Sequence, residues 1–195
     1  MVFPILFYKI LLIVNRKQRG DIMAKLKGTK KIKRIIKNFL AENGFGNFAI
    51  EIAPDFAYIH SYDTEEELHR ICFSLVVPAD DGFLENLYRR YKPQFACDIA
   101  LISLFHEIGH HVTWDFFTEE EHDFFHRQKE RIEHELSIEE NAEIRDLYFG
   151  VADEDAATSW AIKYMTENAE KVAKFWNSLS VAIQEFYEKN GVDIS

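Results

Sequence analysis

Within Cys97-Asp-Ile-Ala-Leu-Ile-Ser-Leu-Phe-His-Glu-Ile-Gly-His-His-Val-Thr-Trp114, two histidines four residues apart interrupt a run that is apolar on nearly every side. The pattern predicts a helix over about Phe95 to Asp115, from which His106 and His110 project on one face, one turn apart. Ile99, Leu101, Ile102, Leu104, Phe105, Ile108 and Val112 flank them and would bury that helix. Buried imidazoles need polar partners. The fold must therefore bring a compensating group to this face, and the spacing of His106 and His110 is that of two ligands to one zinc ion. Glu107, turned by about 100° from His106, can reach an attacking water without occupying the coordination sphere.

A catalytic zinc site takes a third protein ligand and keeps one position open. The candidate is Glu154, in Glu154-Asp-Ala-Ala157-Thr-Ser-Trp160-Ala161, 44 residues beyond His110. On a helix, Glu154, Ala157 and Ala161 share a face, and the alanines would let the two helices approach closely. Glu154 can also be read as a first-turn carboxylate favoured by the helix dipole, like Asp153 and Asp155. Glu139, in Glu139-Glu-Asn-Ala142, competes for the ligand role, with Glu130 and Glu143 behind it. His122 and His126 repeat the four-residue spacing, and Glu130 continues their face. Their setting in Thr118-Glu-Glu-Glu-His-Asp is that of a solvated helix. His111 follows the first helix's turn and points off the ligand face.

A length of 195 residues gives one domain with a real core, expected over residues 23–195. The net charge of −10 conceals an asymmetry: residues 16–37 carry ten Lys/Arg and one acidic residue, whereas 38–195 carry 12 basic and 32 acidic residues. An acidic body repels nucleic acid, so none is expected as a partner. The two cysteines, Cys72 and Cys97, have neither scaffold nor CxxC spacing, which fits a reduced, cytoplasmic setting. The apolar start, Met1 to Val14, is too short for a membrane span and is broken by Pro4 and Lys9. It also lacks the basic leader and cleavage site of a signal peptide. A coding such as AGG GGA GAU AUU AUG for Arg19 to Met23 contains a purine-rich ribosome-binding site before a start codon. Translation is therefore expected to begin at Met23, with residues 1–22 a non-native or disordered extension; a short membrane-associating tail is the rival reading.

Along the rest of the chain, Ile32, Ile35, Ile36, Phe39 and Leu40 recur at helical spacing among lysines, with Gly44 placed to end the helix. Segments Phe48–Ala53, Phe56–His60 and Arg70–Val77 read as strands, separated by Pro54-Asp55 and by Asp63 to Glu67. Helices are expected at Gly82–Tyr91, Phe95–Asp115, Thr118–His134, Ile138–Phe149, Asp153–Thr166 and Asn168–Lys189. Strands followed by helices predict an α+β domain with a small, mostly antiparallel sheet.

His106-Glu-Ile-Gly-His110-His followed by Glu154-x-x-Ala157-x-x-Trp160-Ala161 resembles the gluzincin zinc metallopeptidases of the ImmA/IrrE type, intracellular enzymes often encoded by phages and mobile elements. Thr158 stands where that family commonly has Asn, and Trp160 where Phe is common. The resemblance implies a zincin-like fold and a zinc ion held by His106, His110 and Glu154, with Glu107 as the catalytic base. It also implies a protein or peptide substrate, including a regulator encoded nearby. Peptide hydrolysis at such a site uses Glu107 to take the proton of the attacking water and pass it to the leaving amine. Tyr148, Tyr164 and His126 are candidates to steady the oxyanion. The alternative from another class is a zinc-stabilised, non-catalytic interaction module of phage origin. A deformylase reading would need a cysteine ligand from a separate upstream segment, and Cys97 lies on the same expected helix as the histidines.

Overall fold

The computed structural model describes residues 28–46, 48–53, 58–63, 68–74, 99–136 and 142–190. The expectations for residues 1–22, for the helix at 82–91, for Cys97 and for Glu139 lie outside them. The chain divides into two compact units, one formed by Met1–Ala79 with Asn168–Ser195 and the other by Asp80–Glu167.

The first unit contains helix α1 (Lys30–Glu42), strands β1 (Phe48–Ala53), β2 (Tyr58–Asp63) and β3 (Leu68–Ser74), and, from the end of the chain, helix α6 (Ala169–Lys189). In α1, Ile32, Ile36, Phe39 and Leu40 form one buried stripe, while Lys30, Lys31, Arg34 and Lys37 are exposed. The basic face is thus a solvated one, with Lys31 paired to Glu185 of α6. Burying each such apolar side chain contributes roughly 1.5–3 kcal/mol. The helix ends where its sequence says it should. Gly44 takes φ +74, its N–H bonds to Ala41 O, and the Phe45 N–H reaches back to Leu40 O. That reverse turn uses the left-handed conformation that glycine adopts without penalty. Phe39 then stacks on Phe175 of α6 with ring centroids 4.1 Å apart.

The sheet corrects one expectation. It is mixed rather than mostly antiparallel: β3 is central, parallel to β1 (Phe48 opposite His69 through Ala53 opposite Ser74) and antiparallel to β2. Consecutive strands usually pair, and this chain departs from that tendency because β2 passes to the far side of β3. Sequence alternation is blind to the difference. Phe48 and Ile50 of β1 and Ile71 and Phe73 of β3 are buried, as period-two alternation requires, whichever direction the neighbour runs.

The second unit is all helical among its described residues: α2 (Ile99–Thr113), a 3-10 turn (Trp114–Phe116), α3 (Glu119–Leu136), α4 (Ala142–Phe149) and α5 (Ala152–Glu167). Leu101, Ile102, Leu104, Phe105 and Ile108 of α2 are all buried, so this helix is enclosed on several sides. A reciprocal cap starts α3: the Thr118 N–H donates to Glu121 Oε2 at 2.8 Å, and the Glu121 N–H donates to Thr118 Oγ1 at 3.3 Å. Helix α5 buries Glu154, Ala157, Thr158, Ala161 and Met165 as a single stripe against α2. Among the described residues the composition, mostly helix with one small sheet, is compatible with α+β. No helix among the described residues is long and apolar enough to cross a membrane.

Candidate metal centre

Close approach of two helices builds the site. A Cβ added at Gly109 would lie 2.4 Å from the Ala157 carbonyl oxygen and 2.9 Å from its Cα, so only hydrogen fits between the backbones of α2 and α5. Gly109 sits between the two histidines in sequence, and Ala157 lies one turn beyond Glu154. The contact therefore fixes the height and separation at which the carboxylate meets the imidazoles. Gly109→Ala should raise helix propensity by up to about 1 kcal/mol, yet the overpacking penalty of about 1–3 kcal/mol dominates. The expected result is a lower melting temperature and weaker metal binding. A variant that melts higher than wild type with unchanged metal affinity would show that this contact does not set the site.

His106 Nε2 lies 3.1 Å from Glu154 Oε2 and 3.2 Å from His110 Nε2, and His110 Nε2 lies 3.4 Å from the same carboxylate oxygen. Ligands at the corners of a tetrahedron with metal bonds of about 2.0–2.1 Å are separated by about 3.3 Å. The three donor atoms form a triangle of that size. His106, His110 and Glu154 are thus a group that could hold a metal ion, and among the described residues no fourth His, Cys, Asp or Glu joins them. The donor set fits a cation on chemical grounds as well. His106 Nδ1 lies 3.1 Å from Thr158 Oγ1, and in the tautomer with its proton on Nδ1 the Nε2 lone pair faces His110 and Glu154. Two imidazole nitrogens and a carboxylate oxygen converging within 3.4 Å need positive charge among them, supplied by a bound cation or, without one, by imidazole protons shared with Glu154.

His106, Glu154 and Thr158 are all buried, whereas His110 is partly open. Phe149, at the end of α4, covers His106 with its ring edge-on at a centroid distance of 5.9 Å. Burial opposes the charge on Glu154, but the adjacent His110 charge and the hydrogen bonds of His106 and His110 outweigh it and hold the carboxyl well below its usual range. On the other side, Lys129 Nζ of α3 donates to Glu154 Oε1 at 3.0 Å and to Asp153 Oδ2 at 2.6 Å. Burial likewise opposes the charge on Lys129, and the two carboxylates overcome it and hold the ammonium above the usual lysine range.

The residues expected from the sequence are distributed as follows. His106, His110 and Glu154 come together; Glu107, half-buried, occupies the next position round α2. His122 is not drawn into a metal group: its ring stacks on Trp114 at 3.8 Å and its Nε2–H donates to the Trp114 carbonyl at 2.9 Å. His126 is exposed and lies 3.4 Å from Glu130 on the same turn of α3, so that pair is a solvated face and a weak interaction. Tyr164 stacks between Phe105 and Trp160, and Tyr148 adjoins the Phe149 that covers His106.

Three contributors escaped sequence reasoning. Gly109 had a signal, since an isolated glycine inside a strong helical pattern commonly marks a close packing contact. Thr158 lies one turn beyond Glu154 on the same stripe and was readable as an outer partner by that spacing. Lys129 follows the buried Phe125 by one turn on an otherwise charged helix, and only the packing of α3 against α5 reveals it. No protein-family model, curated protein or solved structure matches the chain.

Proposed function

We propose that this chain is a zinc-dependent metallopeptidase of zincin-like fold, in keeping with its sequence resemblance to the ImmA/IrrE-type gluzincins. The observation that carries the reading is the convergence of three donor atoms from His106, His110 and Glu154 on one point, with Glu107 one position along the same helix. A zinc ion in such a site acidifies water and polarises a carbonyl group. Glu107 then serves as the base that takes a proton from the attacking water and delivers it to the departing amine. Glu154 and the two histidines hold the electrophilic centre. Thr158 Oγ1, 3.1 Å from His106 Nδ1, would accept its proton in the tautomer that leaves Nε2 free to coordinate. Two histidines and a carboxylate also suit ferrous iron. What favours hydrolysis is Glu107, because water attack on an amide calls for a proton acceptor beside the electrophilic centre.

The test combines metal identification with substrate discovery. Protein isolated under metal-limited conditions is loaded with zinc and checked by elemental analysis. It is then incubated with cell lysate, from the host and from phage-infected cells, with and without a strong chelator. New protein N-termini that appear only without chelator are the expected result and identify the substrate class. Zinc-loaded protein that generates no chelator-sensitive N-termini in either lysate, while retaining one zinc per chain, would favour the non-catalytic, zinc-stabilised interaction module. One iron per chain in place of zinc, in protein purified separately from metal-replete cells without added metal, would overturn the zinc assignment.

A further inference from the structure

The two oxygens of Glu154 have different partners. Oε2 faces His106 and His110, at 3.1 and 3.4 Å, while Oε1 accepts a hydrogen bond from Lys129 Nζ at 3.0 Å. The same ammonium donates to Asp153 Oδ2 at 2.6 Å, and the other oxygen of Asp153, Oδ1, accepts the backbone N–H of Glu154 at 2.9 Å. A closed loop results: the lysine grips one oxygen of Glu154 and is itself anchored to Asp153, which in turn is tied to the backbone of Glu154. The side chains of Lys129, Asp153 and Glu154 are 18%, 15% and 5% exposed, so solvent and salt screen this loop less than a surface pair.

We propose that Lys129 is a positioning residue that restricts Glu154 to coordination through Oε2 alone and so keeps a coordination position open for substrate. A carboxylate released from such a grip has lone pairs on both oxygens and can turn to chelate a cation with the pair. With Oε1 committed to an ammonium, rotation towards chelation would have to break a charge-assisted hydrogen bond. Outer partners of this kind orient ligands in metal sites generally. Here the orienting group comes from α3, a helix that supplies none of His106, His110, Glu154 and Glu107, so the docking of α3 against α5 becomes part of the metal site.

This inference rests on the metal-binding reading above, and the experiment separates the two. Cobalt(II) is titrated into metal-free wild type, Lys129→Met and Lys129→Gln, following affinity by equilibrium dialysis and geometry by the intensity of the visible absorption bands, which is high for four-coordinate and lower for five-coordinate cobalt(II). Wild type is expected to show four-coordinate intensity. Lys129→Met, which keeps the aliphatic stem and loses the donor, should bind about 10–100-fold more weakly with reduced band intensity. Lys129→Gln, whose amide can still donate to Oε1 without a charge, should recover the wild-type bands. Lys129→Ser removes the donor without burying an apolar end and reads the same way if the Met variant does not fold. A donor-lacking variant that binds cobalt with wild-type affinity and spectrum overturns the positioning role and leaves the metal site standing. A merely structural lysine would lower the melting temperature of the metal-free protein without changing the bands. Wild type that binds no cobalt overturns the metal reading, and this inference with it.

Discussion

Glu107→Gln is expected to retain zinc content and melting temperature near wild type while reducing peptide hydrolysis by about 10²- to 10⁴-fold, the usual consequence of losing a general base. The reasoning is geometric first. His106 and His110 turn their Nε2 atoms towards Glu154, and Glu107, rotated by about 100° from His106, is not among the converging donors. Gln keeps the shape and a polar end, so the half-buried position is still filled, but it accepts no proton at neutral pH. The measurement is paired: zinc per chain by elemental analysis, and rate on a substrate identified from the lysate comparison. Loss of zinc from this variant would make Glu107 a ligand and force a different assignment of the site. An undiminished rate in a variant that keeps its zinc would remove Glu107 from the chemistry altogether.

Glu154→Ala should lower metal affinity by more than about 100-fold, beyond the 10–100-fold typical for losing an outer partner, because a ligand and its charge are removed directly. Two further effects act in the same direction. His106 Nε2 and His110 Nε2 remain 3.2 Å apart with no anion to balance a bound cation, and Lys129 keeps its hydrogen bond to Asp153 but loses the one to Glu154. Glu154→Gln tests the charge alone: it preserves an oxygen that can face the histidines but gives up the negative charge, so its affinity should fall between those of Ala and wild type. Competition against a chromophoric chelator gives all three constants. An Ala variant that binds zinc within tenfold of wild type would show that Glu154 is not a ligand, whatever its distance from the histidines.

Legibility from the sequence followed the range of the interaction. Helix α6 was expected over Asn168–Lys189 and runs Ala169–Lys189; β1 was expected over Phe48–Ala53 and occupies those residues. Each is specified by periodicity within a single segment, and the end of α1 at Gly44 by one residue's freedom at positive φ. Among the described residues β2 runs on to Asp63, past the expected His60, and β3 begins at Leu68, two residues before the expected Arg70, because the acidic stretch from Asp63 marks a turn without fixing where pairing stops. Parallel pairing of β1 with β3 has no local signature, since alternation buries Ile50 and Ile71 in either direction.

The same division runs through the candidate metal centre. The spacing of His106 and His110 is a property of one helix, and its apolar neighbours already required a polar partner in a buried place. The stripe of Glu154, Ala157 and Ala161, 44 residues beyond His110, made Glu154 the candidate partner through small residues that permit close approach and through its resemblance to a known motif, with Glu139 left as a competitor. What no local pattern contained was the third helix. Lys129 reads as one more charge on a charged segment until α3 packs beside α5 and carries its ammonium to within 3.0 Å of Glu154. Backbone periodicity determines which face a side chain occupies. Which other face it meets is decided by packing, and an ion pair with Nζ and Oε1 on different helices exists only once that packing has formed.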